Sequence, residues 1–198
     1  MDIKLFNRWS VSGITVLDPG LKDYISLHPL FVPKTGGRNI KIQFHKSKNH
    51  IVERLINKAM VPGHRGKKHH LTSGDDGGKG PLAYKLVESA LLIIEKRMAR
   101  NPIEVFVRAL ENAAPREEIT TIEYGGAKYP QAVDCAPQRR IDIALRQFIQ
   151  GAYNKSFNGK KKADECLAEE IIHAYNMDQK SVALSKKLEL ERQADSSR

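Results

Sequence analysis

The residues best placed for chemistry form a glycine-flanked run, Gly63-His64-Arg65-Gly66-Lys67-Lys68-His69-His70. From a loop of this kind Arg65, Lys67 and Lys68 can reach phosphate oxygens, and backbone N–H groups outside regular structure add hydrogen bonds to an anion. The histidines raise the question of a metal. Neighbouring cations oppose one, and no carboxylate or cysteine completes a ligand set, so no metal site is expected. The next stretch, Ser73-Gly74-Asp75-Asp76-Gly77-Gly78-Lys79-Gly80, only superficially suggests a nucleotide loop. Ser73 stands where the first glycine should be, Gly80 replaces the metal-binding Ser or Thr, and the Asp pair would repel phosphate. It reads as a flexible linker.

Two further clusters are basic. Arg139-Arg140 opens a helical segment whose polar side carries Arg146, and Lys160-Lys161-Lys162 opens the next. Cations at a helix start oppose the macrodipole, and an external anion would relieve that mismatch. The acidic pairs Glu117-Glu118 and Glu169-Glu170 read as surface charge, since neighbours on a helix diverge and no His, Ser or metal motif converges on them. No catalytic residue, cofactor or small-molecule substrate is expected.

Charge distribution strengthens the polyanion reading. The chain of 198 residues carries a net charge of +10. Residues 34–70 hold ten basic side chains and one acidic, residues 116–162 hold nine and five, and residues 1–33 and 71–115 balance. Two basic blocks flanking a neutral helical stretch point to a face that meets nucleic acid. The first block offers Lys34, Arg38, Lys41, Lys46 and Lys48 as well as the loop cations. The helical body between the blocks is expected to act as a rigid spacer. No apolar run is long enough to span a membrane, and the first ten residues lack the order of a signal peptide. Cys135 and Cys166 sit in no metal-ligand spacing, and a reduced cytoplasmic setting is the natural reading.

The elements that must position these residues are mainly helical. Residues 1–45, punctuated by Pro19-Gly20, Pro29, Pro33 and Gly36-Gly37, read as an irregular extension wrapping a body of residues 46–198. Ser47 is a candidate cap for a helix with Ile51, Val52, Leu55, Ile56, Ala59 and Met60 on one side. Residues 61–80 read as a long loop, and helices are expected over 81–98 and from Pro102, which Asn101 and Glu104 mark as a helix start. A β-hairpin arm is predicted at about 118–136, turning at Gly125-Gly126. Helical spacing resumes at Ile141, with two more helices over about 163–175 and 179–193. The fold class is a bundle of about six helices with one inserted hairpin. A lone hairpin is marginally stable unless it packs on something, so its tip is expected to project toward a partner.

Several motifs then fall in order. Residues 48–68, with Ile51-Val52-Glu53-Arg54-Leu55-Ile56-Asn57-Lys58-Ala59-Met60 and Gly66-Lys67-Lys68, resemble the signature helix and basic loop of the universal small-subunit ribosomal protein seven family. The likeness continues through Ala109-Leu110-Glu111-Asn112, Tyr124-Gly125-Gly126-Ala127-Lys128-Tyr129 and Ala136-Pro137-Gln138-Arg139-Arg140. Val32-Pro33-Lys34-Thr35-Gly36-Gly37-Arg38 looks like the archaeal and eukaryotic branch, and the insertion over 69–80 departs from the short bacterial loop. The resemblance implies a structural protein that binds the 3′ major domain of small-subunit ribosomal RNA, helps assemble the head and lies near the tRNA exit site. It implies transfer RNA, messenger RNA and small-subunit ribosomal protein eleven as neighbours. It places RNA contact at Lys67, Lys68, Arg139 and Arg140, and exit-site proximity at Gly125, Gly126, Lys128 and Tyr129. The rival reading is a general DNA-binding basic protein. Lys and Arg that meet phosphate release counterions, so changing Lys67 and Lys68 together to Ala should weaken RNA binding and flatten its salt slope by roughly 1–2 units. Binding isotherms across a salt series test this, and an unchanged slope would remove both side chains from the interface.

Overall fold

The computed structural model describes residues 3–37, 41–65, 68–69 and 75–198, with the backbone alone for His64, Arg65, Lys68 and His69. Arg38 and Lys67 lie outside the described residues. Among the described residues the chain forms α1 (Ile51–Ala59), α2 (Gly80–Met98), α3 (Pro102–Ala113), α4 (Pro137–Ser156), α5 (Ala163–Tyr175) and α6 (Val182–Ser196). A hairpin of β5 (Glu117–Tyr124) and β6 (Ala127–Asp134) is inserted between α3 and α4. This is the mainly helical class that the apolar spacing predicts.

Helix α5 sits at the centre and packs on α2, α3, α4 and α6. Its sequence allows this: Cys166, Leu167, Ala168, Ile171 and Ala174 are all fully buried, and the alanines let neighbouring helices come close. Glu170 of the same helix is also fully buried, and Lys155 of α4 pairs with it at 2.7 Å. The carboxylate accepts the N–H of Val182 at 3.1 Å, satisfying one orphan donor at the start of α6. Gly151 makes room for it, since a Cβ there would lie 2.7 Å from Glu170 Oε1.

The N-terminal segment is bound into this core. Its short strands β1 (Lys4–Leu5) and β2 (Trp9–Ser10) pair antiparallel. Leu5, Trp9, Val11, Leu21 and Ile25 are buried in the same apolar cluster as the helices. Polar ties recur along it. Asn101 Nδ2 donates to the Ser10 carbonyl at 2.7 Å, and Glu111 Oε1 accepts the N–H groups of Leu17 and Asp18 at 2.6 and 3.1 Å.

Two local features differ from the sequence expectation. Ser47 does not cap α1. It lies in a 3-10 turn (His45–Lys48), and its hydroxyl accepts from Gln138 Nε2 at 2.6 Å. His50 caps α1 instead, its Nδ1 accepting the Val52 N–H at 3.2 Å. The segment expected to be all loop contains a short antiparallel pair, β3 (His64–Arg65) with β4 (Lys68–His69).

The cap has a consequence for pH. His50 is fully buried, its Nε2 has no partner among the described residues, and its ring lies 5.6 Å from that of His28. Burial, and secondarily the charge of His28, push its pKa down from 6.5 to about 4. Below pH 6.5 the unfolded chain takes up a proton that the folded one refuses, so this group's contribution to stability falls as pH drops toward 4. His50→Asn keeps a capping oxygen without the titration. It should flatten the stability loss between those pH values by about 2–3 kcal/mol, measured by urea unfolding at each pH.

Candidate nucleic-acid interface

Residue Asp142, one turn into α4, organises the basic face. Lys46 from the 3-10 turn pairs with its Oδ2, and Arg54 Nη2 of α1 bonds its Oδ1 at 3.0 Å. Arg54 also donates to the Tyr24 carbonyl at 3.3 Å, tying in the N-terminal segment. Burial raises the Asp142 pKa, but the two cations outweigh it and hold the carboxyl below its usual range. Lys58 belongs to the same group. Burial lowers its pKa first, and the charges of Arg146, Lys46 and Arg54 lower it further against the pull of Asp142. Lys46, Arg54 and Lys58 thus gather around one carboxylate, with Arg146 close enough to Lys58 to add to the repulsion.

This corrects the spacer expectation. Helices α1 and α4 pack directly, so the two basic blocks meet instead of being held apart. Beside the cluster opens a groove of about 1030 Å³, whose wall includes Lys34, Lys46, Lys85, Phe44 and Tyr84. Lys34, Lys41, Lys48 and Arg146 are exposed, and Phe44 is 66% exposed at the groove mouth. Cations around an open face with aromatic rings beside them can neutralise phosphates and stack on bases.

Other expected contacts are placed elsewhere. Arg140 is 8% exposed and serves the fold: Nη2 pairs with Asp18 at 2.6 Å and Nε donates to the Pro115 carbonyl at 3.0 Å. It is not a free phosphate contact. Arg139 remains exposed but is bidentate to Glu118, at 2.5 and 2.7 Å. The anions expected to relieve arginines at the start of α4 are therefore internal, Asp18 from the extension and Glu118 from the hairpin. Lys161 pairs with Glu169 at 2.7 Å, leaving Lys160 and Lys162 exposed beside it. These three lie beyond the far end of α4, about 15 Å of helix past Arg146, and do not join the cluster. Arg65 and Lys68 face each other in register across β3 and β4.

The hairpin arm is well formed and light in charge. Its eight-residue strands pair from Glu117↔Asp134 to Tyr124↔Ala127. Gly125 and Gly126 have φ of 58° and 81°, the left-handed pair that a tight two-residue turn of this hand requires. The base packs on α6, whereas residues 120–131 are exposed on both faces. Lys128 faces Glu123 in register, so the tip presents no surplus charge. On the opposite face Ile122 pairs with Tyr129, and Tyr124, 82% exposed, stands next to them.

Sequence reading missed Lys58 and Tyr124. Lys58 stands four residues after Arg54, on the same side of α1, and that spacing was a usable signal. Tyr124 alternates onto the face of Ile122, as strand period two requires. Burial, and secondarily Glu118, push the Cys135 thiol up to about 11, which favours its protonated form near neutrality. Among the described residues no group of three or more His, Cys, Asp or Glu is placed to hold a metal, and no helix is long and apolar enough to cross a membrane.

Comparison with known proteins identifies the family. Residues 33–198 match the family described as "Ribosomal protein S7p/S5e". The chain is also 54% identical over 198 residues to "Small ribosomal subunit protein uS7" of Nanoarchaeum equitans (strain Kin4-M), covering the whole of both chains.

The internal role of Arg140 is directly testable. Arg140→Met breaks a mostly buried pair and strips the Pro115 carbonyl of its donor, and should cost at least about 2 kcal/mol. Lys160→Ala, on the surface, should stay within about 0.5 kcal/mol. Denaturant titration separates the two.

Proposed function

The chain belongs to the ribosomal protein S7p/S5e family, and from that premise we propose that it binds the 3′ major domain of small-subunit ribosomal RNA and helps assemble the head of the subunit. It is a structural, non-enzymatic protein of the small ribosomal subunit. The observation that carries the finer reading is the cluster of Lys46, Arg54 and Lys58 around the carboxylate of Asp142, with Arg146 beside Lys58. Such a cluster is held under mutual repulsion, and phosphates arriving at its face relieve it. Lys34 and Lys85 line the groove beside it, Lys41 and Lys48 are exposed further cations, and the family resemblance assigns RNA contact to the basic loop as well. Specificity then comes from the shape of a folded RNA junction, since A-form helices hide their base edges in a narrow groove.

The arm takes a different kind of contact. It lies near the tRNA exit site in this reading, where it approaches transfer RNA and messenger RNA, and the protein as a whole neighbours small-subunit ribosomal protein eleven. Its tip offers Tyr124, Tyr129 and Ile122 instead of surplus charge, a chemistry of stacking and apolar contact. Two features support a fixed arm: a base packed on α6 and an ion pair of Glu117 with Arg198 at 2.5 Å.

The experiment is a salt-titrated binding assay with 3′ major domain RNA and with duplex DNA of equal length. RNA should bind more tightly at about 150 mM salt, a concentration that already screens loose surface attraction. Lys58→Ala and Arg146→Ala should each lower the salt slope by about 1. Equal affinity for the DNA would favour the general basic-protein reading and overturn this one.

A further inference from the structure

A second groove, of about 520 Å³, shares no residue with the basic cluster and is lined by residues 17–19, α3, Arg116, the α5–α6 connection and α6. Its rim is apolar and open. Leu17 is 65% exposed, Met177 70% and Leu188 41%. Nothing in the described chain covers these three side chains, although much of the remaining apolar surface in this region is folded into the core.

The charges in the wall are unevenly committed. Glu111 receives the N–H groups of Leu17 and Asp18 and pairs with Arg108 at 2.9 Å. Asp18 is held by Arg140. Arg116 makes no side-chain ion pair among the described residues, although its backbone N–H donates to Glu191 at 3.0 Å. Lys187 is half-buried and donates to the Asn112 carbonyl at 2.8 Å, with no carboxylate bonded to it. Burial pushes its ammonium pKa down; Glu191 opposes this, and Arg116 and Arg140 add to it. Glu191 and Asp18 attract Lys187 from a distance, but neither bonds it, so the groove sets two cations without a direct carboxylate partner among the described residues beside an apolar rim.

We propose that this groove docks a segment of a neighbouring protein that carries a carboxylate flanked by apolar side chains, the carboxylate seating on Lys187 and Arg116 and the apolar side chains covering Leu17, Met177 and Leu188. A charge-assisted bond to a half-buried cation is strong because solvent screening is low there, and aliphatic contacts around it exclude water. An RNA strand fits less well. Its phosphates would match the two cations but leave three apolar side chains against a hydrated backbone, and Glu111 and Asp18 in the same wall repel a run of phosphates. A single carboxylate meets that repulsion once, whereas a strand of phosphates meets it repeatedly.

The proposal rests on the reading that the chain works inside the small ribosomal subunit, so the test is made there. The full-length chain carrying the photoreactive residue p-benzoylphenylalanine in place of Met177 is expressed in cells, and small subunits are isolated. Co-sedimentation of the chain with the subunit tests the ribosomal reading by itself. On irradiation the chain should cross-link to a protein, through a peptide with Asp or Glu next to apolar residues. Lys187→Glu should cut the adduct yield about tenfold, the equivalent of one lost charge-assisted contact, while Lys187→Arg should retain it. Adducts to ribosomal RNA, incorporated subunits with no adduct, or a yield indifferent to Lys187→Glu would each overturn the proposal.

Discussion

The charge balance at Asp142 is the constraint on which the rest of the molecule depends. Arg54 is nearly buried, Lys58 is partly so, and Lys46 and Arg146 stand beside them. Like charges this close in a medium of reduced dielectric would drive α1 away from α4. One carboxylate, reached by Lys46 and Arg54 together, offsets enough of that repulsion for the two helices to pack. The remaining positive potential faces outward. The positive surface is thus the residue of a structural compromise, a neutralisation that the fold leaves unfinished.

The same economy recurs where the N-terminal segment meets the body. Asp18 neutralises Arg140, Glu111 gathers two backbone N–H groups of the segment, and Arg54 reaches the Tyr24 carbonyl. Each tie joins a residue of the first thirty to a helix far along the chain, and apolar side chains from Leu5 to Ile25 fill the space between. Calling these residues an extension describes their irregular backbone well. It understates their energetics, because they share one core with the helices. The arm follows the opposite rule: its base is packed and paired, and its distal half has no core contacts and faces outward on both sides.

Much of the architecture was legible in the residues. The apolar periodicity of α3 and α5, the Asn101-Pro102 start and the paired glycines of the hairpin are short-range signals, and each appears in the structure where the pattern places it. The cap of α1 was not legible. Ser47 is a good cap by type, but its hydroxyl is taken by Gln138 from ninety-one residues away, and a histidine does the capping instead. The candidate site divides in the same way. That two basic blocks existed was plain. That Arg140 is internal, that Arg139 is held by Glu118, and that Lys58 joins the exposed face were not, because ion pairing is decided by which acids arrive from other elements.

By itself the sequence determined the class of fold, the succession of helices and hairpin, the family and the polyanionic nature of the partner. These depend on periodicity, turn residues, net charge and ordered motifs, all local along the chain or summed over it. The tertiary structure decided which cations are free. Arg139, Arg140 and Arg146 are alike in type and close in sequence, yet one is clamped by the hairpin, one is buried against the N-terminal segment and one faces solvent. A side chain's charge is written in the sequence, but the charge left to act on a partner is what remains after the fold has brought its own acids into contact.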